Sequence, residues 1–133
     1  MKIIDIEGIG PAYAAKLAKA GVRSVEGLLK EGASEKGRKG IASASGIDHA
    51  MILAWVNRAD LFRIKGVGCQ YSDVLEKAGV DTVVELSKRV AGNLYKKMVE
   101  VNQAKNLVNG MSGVKKVEDW IEQAKKLPRV ITY

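Results

Sequence analysis

A segment that returns in register constrains this chain more than any single residue does. Ile6-Glu7-Gly8-Ile9-Gly10 recurs as Ile64-Lys65-Gly66-Val67-Gly68, a shift of 58 positions. At the same shift Tyr13 meets Tyr71, Leu17 meets Leu75, Ala20-Gly21-Val22 meets Ala78-Gly79-Val80, Val25 meets Val83 and Leu28 meets Leu86. A chain of 133 residues patterned in this way is two copies of one small unit, residues 1–59 and 60–133. Copies of about sixty residues bury too little surface alone, so the sequence predicts that they stack on one shared core as a single body.

Each copy carries its own start and stop signals. The Gly-apolar-Gly triplet makes a tight turn in conformations that a side chain disfavours, and it leads straight into a helix. Pro11 suits the first helical turn. In the second copy Tyr71, Val74, Leu75 and Ala78 form one apolar stripe, with Gly79 placed as the C-terminal stop and Gly21 its counterpart. Ser24 and Thr82 are positioned as N-caps of short helices, Thr82 with Glu85 as a capping box, and Val25, Leu28 and Leu29 face inward. A partial third echo, Gly113 to Val117, opens an amphipathic helix with Val117, Trp120, Ile121 and Ala124 inward, stopped by Pro128. Two more helices are expected, one opened by Asp48 and burying Met51, Ile52, Trp55, Val56 and Ala59, the other from about Leu94 to Val108. No segment reads as a buried strand, so the fold class is all-α. The β-like ends, Lys2 to Ile4 and Arg129 to Tyr133, are expected to trail.

Composition narrows the function classes. The sequence is 47% hydrophobic and 28% charged, the balance of a globular chain rather than a disordered one. Cys69 is the only cysteine, so no internal disulfide can form, and the default compartment is the cytoplasm. Neither a signal peptide nor a membrane span is expected, and no membrane partner. With one cysteine and one histidine, His49, no metal cluster of those residues can be assembled, and no catalytic triad stands out. Cys69, in the place of Pro11, reads as a packed side chain. The expectation is a non-enzymatic module without metal or cofactor. The net charge of +7 raises the weight of a polyanionic partner, and it is uneven, with nine basic and seven acidic residues before position 61 and thirteen and eight from there on.

The run Ile6-Glu7-Gly8-Ile9-Gly10-Pro11 through Leu28, with Ser45-Gly46-Ile47 as a degenerate second hairpin, resembles the double helix-hairpin-helix domain at the N-terminus of archaeal recombinases. Asp60 to Gly68 is similar in kind to a stretch of the C-terminal domain of the bacterial RNA polymerase alpha subunit. The whole chain, including Trp55 to Leu61 and Val117 to Ile121, resembles a family of small bacterial two-repeat proteins catalogued as a domain of unknown function. The resemblance implies tandem helix-hairpin-helix repeats whose hairpin amides, with the start of the following helix, hold a nucleic-acid phosphate. That reads backbone and not sequence.

Which residues could do so is a narrower matter. DNA-binding members usually carry lysine, arginine or threonine just after the hairpin, where this chain has Ala12 and Tyr13, then Gln70 and Tyr71. After Gly46 stand Asp48 and His49, and Asp48 caps its own helix. Glu7 in the first hairpin opposes a phosphate, whereas Lys65 replaces it in the second. The candidate set is therefore Lys65, Gly66 and Gly68 first, with Gly8 and Gly10 in the more structural copy. Lys36, Arg38 and Lys39 in the first copy, with Lys96 and Lys97 in the second, suggest a repeated basic edge, Arg38 and Lys39 meeting Lys96 and Lys97 at the same offset. Lys88-Arg89, Lys115-Lys116 and Lys125-Lys126 read as solvated helix faces. Asp81, just downstream of the second hairpin, superficially resembles the aspartate that base-excision glycosylases place after theirs, but no substrate-pocket domain accompanies it. Trp55, Trp120, Tyr13 and Tyr71 fall on apolar stripes and read as core rather than as base-stacking platforms. The expected partner is nucleic acid, DNA more than RNA. The alternative is another protein, with the same fold serving as an adaptor.

Overall fold

The computed structural model describes residues 2–133, and among them the chain is helical with no strand. A 3-10 turn, Ile3–Asp5, precedes eight α-helices: α1 (Pro11–Lys19), α2 (Val25–Glu31), α3 (Glu35–Ser45), α4 (His49–Leu61), α5 (Cys69–Lys77), α6 (Val83–Ser87), α7 (Ala91–Lys105) and α8 (Val114–Lys126). Side-chain caps fix several starts by satisfying amides that a helix leaves open. Ser24 Oγ accepts from Gly27 N–H at 2.9 Å and Thr82 Oγ1 from Glu85 N–H at 3.2 Å. Asp48 Oδ1 accepts from Ala50 N–H at 2.9 Å, as expected.

The helix ends repeat as closely as the sequence does. Gly21 (φ 85°) and Gly79 (φ 96°) are both left-handed. Val22 N–H donates to Leu17 O at 2.9 Å and Val80 N–H to Leu75 O at 2.8 Å, closing the last turns of α1 and α5 in one pattern.

The chain divides into two compact units, residues up to Asp60 with Val130–Tyr133, and Leu61–Arg129. In unit 1, α3 packs on α1 and α2. Its buried apolar residues include Ile6, Ile9, Leu17, Val25, Leu28, Ile41, Ile52 and Trp55. Unit 2 has its own cluster, in which Ile64, Val74, Leu75, Leu86, Leu94 and Met98 surround Val117, Trp120 and Ile121 of α8. There α8 packs on α6 and α7, and α7 on α5.

Several elements differ from the sequence reading. The Gly37-Arg38-Lys39-Gly40 stretch, which no expected helix covers, is the interior of α3, begun by Ser34, whose Oγ accepts from Gly37 N–H at 3.0 Å. Helix α7 starts three residues early and stops at Lys105, because Asn106 turns left-handed (φ 51°). Asn102 then holds Val108 through both its amide oxygen and its amide nitrogen, at 2.8 and 3.0 Å. The Lys2 to Ile4 stretch runs into the 3-10 turn with Ile3 buried. The far end does not trail: Ile131 is buried and Thr132 N–H donates to Ala33 O at 2.7 Å.

Candidate functional site

The two hairpins are four-residue turns closed by Ile9 N–H to Ile6 O at 3.0 Å and Val67 N–H to Ile64 O at 3.2 Å. Only the first glycine of each triplet has an unusual conformation, Gly8 at φ 93° and Gly66 at φ 96°, the third position of a turn that requires positive φ. Gly10 and Gly68 are extended and serve as N-caps of α1 and α5. Contrary to the expectation for both glycines of each pair, Gly10 and Gly68 need no special backbone angles. What Gly10 and Gly68 leave is space, because a Cβ at either would meet nothing within 4 Å.

That space lies at helix starts that no side chain caps. The first amide N–H groups of α5, and those of α1 beyond Pro11, which has none, therefore meet no side-chain acceptor among the described residues, at the positive end of each helix.

Beneath each hairpin lies a tryptophan. A Cβ on Gly8 would come to 3.3 Å from Trp55 Nε1, and one on Gly66 to 2.9 Å from Trp120 Nε1. Tyr13 meets Trp55 edge-on with ring centroids 5.3 Å apart, and Tyr71 meets Trp120 likewise at 4.9 Å. Trp55 and Trp120 are buried. Tyr71 is held further, its hydroxyl donating to Ser112 Oγ at 3.0 Å and accepting from Ser112 N–H at 2.9 Å. The two tryptophans are core, as expected, whereas Tyr13 and Tyr71 are half-buried against them.

The hairpins differ in charge. The first exposes Glu7, the second Lys65. The second is braced by Gln123 of α8, which accepts from Lys65 N–H at 2.8 Å, donates to Lys65 O at 3.1 Å and also donates to Asp119 Oδ2 at 2.9 Å. Lys116 lies alongside, its Cε 3.5 Å from where a Gly66 Cβ would be. In the sequence Lys116 reads as part of a solvated face. Its only signal was the Gly113 to Val117 echo, which placed a helix but not that helix's neighbour. Lys65 and Lys116 are both exposed, and neither takes part in an ion pair among the described residues.

The proposed basic edges fare differently. Arg38 is 1% exposed and is not a surface cation: its guanidinium donates to Gly32 O, Ala33 O and Thr132 O at 2.9, 3.1 and 2.8 Å. It falls on the inward side of α3, where a long side chain reaches carbonyls that a phosphate cannot approach. Lys36 and Lys39 are exposed on the same helix, but Lys39 pairs with Glu35 at 3.1 Å. The Lys39 hydrogen bond and charge hold the Glu35 carboxyl below its ordinary pKa. Lys96 and Lys97 are both exposed on α7, and Lys97 lines an open groove with Glu76, Lys77 and Glu100. Arg89 is occupied at the end of α5, bonding Gly79 O and Ala78 O at 3.4 Å each and pairing with Glu85 at 3.7 Å.

Cys69 is exposed rather than packed, as the first residue of α5 beside Gly68. Among the described residues no three histidine, cysteine, aspartate or glutamate side chains group as metal ligands, and no helix is long and apolar enough to cross a membrane.

No curated protein and no solved structure gives a significant match to this chain. The family described as Domain of unknown function (DUF4332) matches residues 7–127, nearly the whole sequence, and the chain belongs to that family.

Proposed function

We propose that this chain is a non-enzymatic, cytoplasmic helix-hairpin-helix module that binds nucleic-acid phosphate backbone without sequence preference, DNA in preference to RNA. The observation that carries the reading is the second hairpin. Open amides at the start of α5, unfilled space over Gly68, the exposed Lys65 of the same hairpin and Lys116, whose Cε reaches the Gly66 position, lie in one stretch of unit 2. An anion there meets amide dipoles and two cations together. Because backbone recognition displaces counterions, affinity must fall steeply with salt.

Titration of labelled duplex and single-stranded DNA and RNA at low and moderate salt tests this, with two variants to locate the site. Gly68→Ala is expected to keep the fold, losing about 1 kcal/mol for alanine at an N-cap, while its methyl group blocks close approach and weakens binding. Lys65→Ala combined with Lys116→Ala is expected to weaken binding to all sequences alike and to flatten the salt dependence by about two units of slope. Unaltered binding by both variants would remove the second hairpin from consideration, and failure of the parent to bind at low salt would end the nucleic-acid reading.

A protein adaptor is the second reading, favoured by Glu7 in the first hairpin and by the mixed charges of the groove between α5 and α7. It predicts no saturable nucleic-acid binding and a partner retained after nuclease treatment.

A further inference from the structure

Unit 1 is completed by residues that follow unit 2 in the sequence, Val130–Tyr133. Their seat is the Gly32–Ser34 turn between α2 and α3. Thr132 is paired on both sides of its backbone, its N–H donating to Ala33 O at 2.7 Å and its carbonyl accepting from Arg38 Nη2 at 2.8 Å. Ile131, 3% exposed, is the apolar anchor. The Tyr133 ring lies over the Arg38 guanidinium, 5.7 Å from its centroid.

The seat is built to hold something. Gly32 has no room for a Cβ, which would stand 2.5 Å from Val56 Cγ2 and 2.9 Å from Leu28 O, so the turn is pinned against unit 1 with its carbonyls presented to Arg38. Arg38 is buried, and among the described residues it makes no ion pair, its three hydrogen bonds all go to carbonyls, and its Nε has no partner. Thr132 O is the acceptor of Nη2, so an empty seat would leave a buried donor unpaired, and an extended peptide that restores the carbonyl is favoured. Main-chain pairing with a pocket for one side chain is how extended peptides are recognised on protein surfaces.

We propose that this turn, with Arg38, is a peptide-binding site whose ligand is the extended segment Val130–Tyr133, and that it accepts the segment from a second copy of the chain as well as from its own. The hydrogen bonds described end on residues 32–38, whichever copy supplies the segment, so exchange sacrifices none of them. Closure within one chain is favoured by its high effective concentration, and exchange gains weight as protein concentration rises. The site does not involve the hairpins and stands apart from the nucleic-acid reading.

The test uses the full chain carrying Ile131→Asp, which spoils the resident segment and leaves the seat intact. A labelled peptide of residues 129–133 is expected to bind this variant saturably. A peptide with Thr132→Pro, lacking the N–H, should not bind, and one with Ile131→Ala should bind about ten- to a hundredfold more weakly. Mixing the Ile131→Asp protein with an Arg38→Met protein, whose segment is intact and whose seat is not, should give a 1:1 heterodimer by native mass spectrometry that neither forms alone. If Ile131→Asp does not fold, Ile131→Ala in the same chain takes its place. A folded variant that binds no peptide, equal binding of the Thr132→Pro peptide, or the absence of heterodimer would overturn the proposal.

Discussion

Gly66→Ala is expected to destabilise unit 2 by about 2–5 kcal/mol, from left-handed backbone strain plus overpacking. At φ 96° the new methyl group meets Trp120 Nε1 at 2.9 Å. Trp120 is fully buried and packed against Tyr71, so it cannot give way without moving the core. In urea the midpoint should fall with little change in slope. Gly8→Ala is the milder counterpart, since its methyl group would stand 3.3 Å from Trp55 Nε1, and about 1–2 kcal/mol of backbone strain is expected there. Equal stability of Gly66→Ala and the parent would contradict the turn geometry described here.

The second large effect concerns two glycines of one helix, and it has opposite signs at the two positions. Helix propensity alone says that alanine at either position in α3 should stabilise by about 1 kcal/mol. At Gly40, where a Cβ would meet nothing within 4 Å, that gain should appear in full. At Gly37 the Cβ would run into the Glu31 carbonyl, backbone atoms at the end of α2 that have no flexible way out. Overpacking of about 1–3 kcal/mol or more then outweighs propensity, and Gly37→Ala should be clearly destabilising. Thermal melts of the two single variants decide it, and a common sign would mean that α2 and α3 do not meet as described.

The contrast shows why the turns and caps were legible and α3 was not. Hairpin, helix, left-handed glycine and capped short helix each rest on local residue choices, and these stand in the sequence twice. Helix α3 has two poor helix formers in its first half, Gly37 and Gly40, and is held by the fit of Gly37 beneath α2. No periodicity reports such a contact. Arg38 failed as a surface cation for the same reason: charge is visible in a sequence, whereas the acceptors that draw it inward, Gly32 O and Thr132 O, belong to the fold. At the candidate site Lys65, Gly66 and Gly68 could be named from the motif. Lys116 and Gln123 could not, because they come from α8, some fifty residues later in the chain.

The exposed sulfur beside Gly68 gives the chain a built-in footprinting handle. Cys69 is the only thiol in the sequence, so an alkylating reagent modifies one position, and intact mass reads the extent without mutagenesis or digestion. Alkylation rate follows access to the thiolate. Whatever settles over the start of α5 must slow that reaction, and whatever binds elsewhere leaves it unchanged. A ligand screen on the unmodified protein thus reports occupancy and location in the same number.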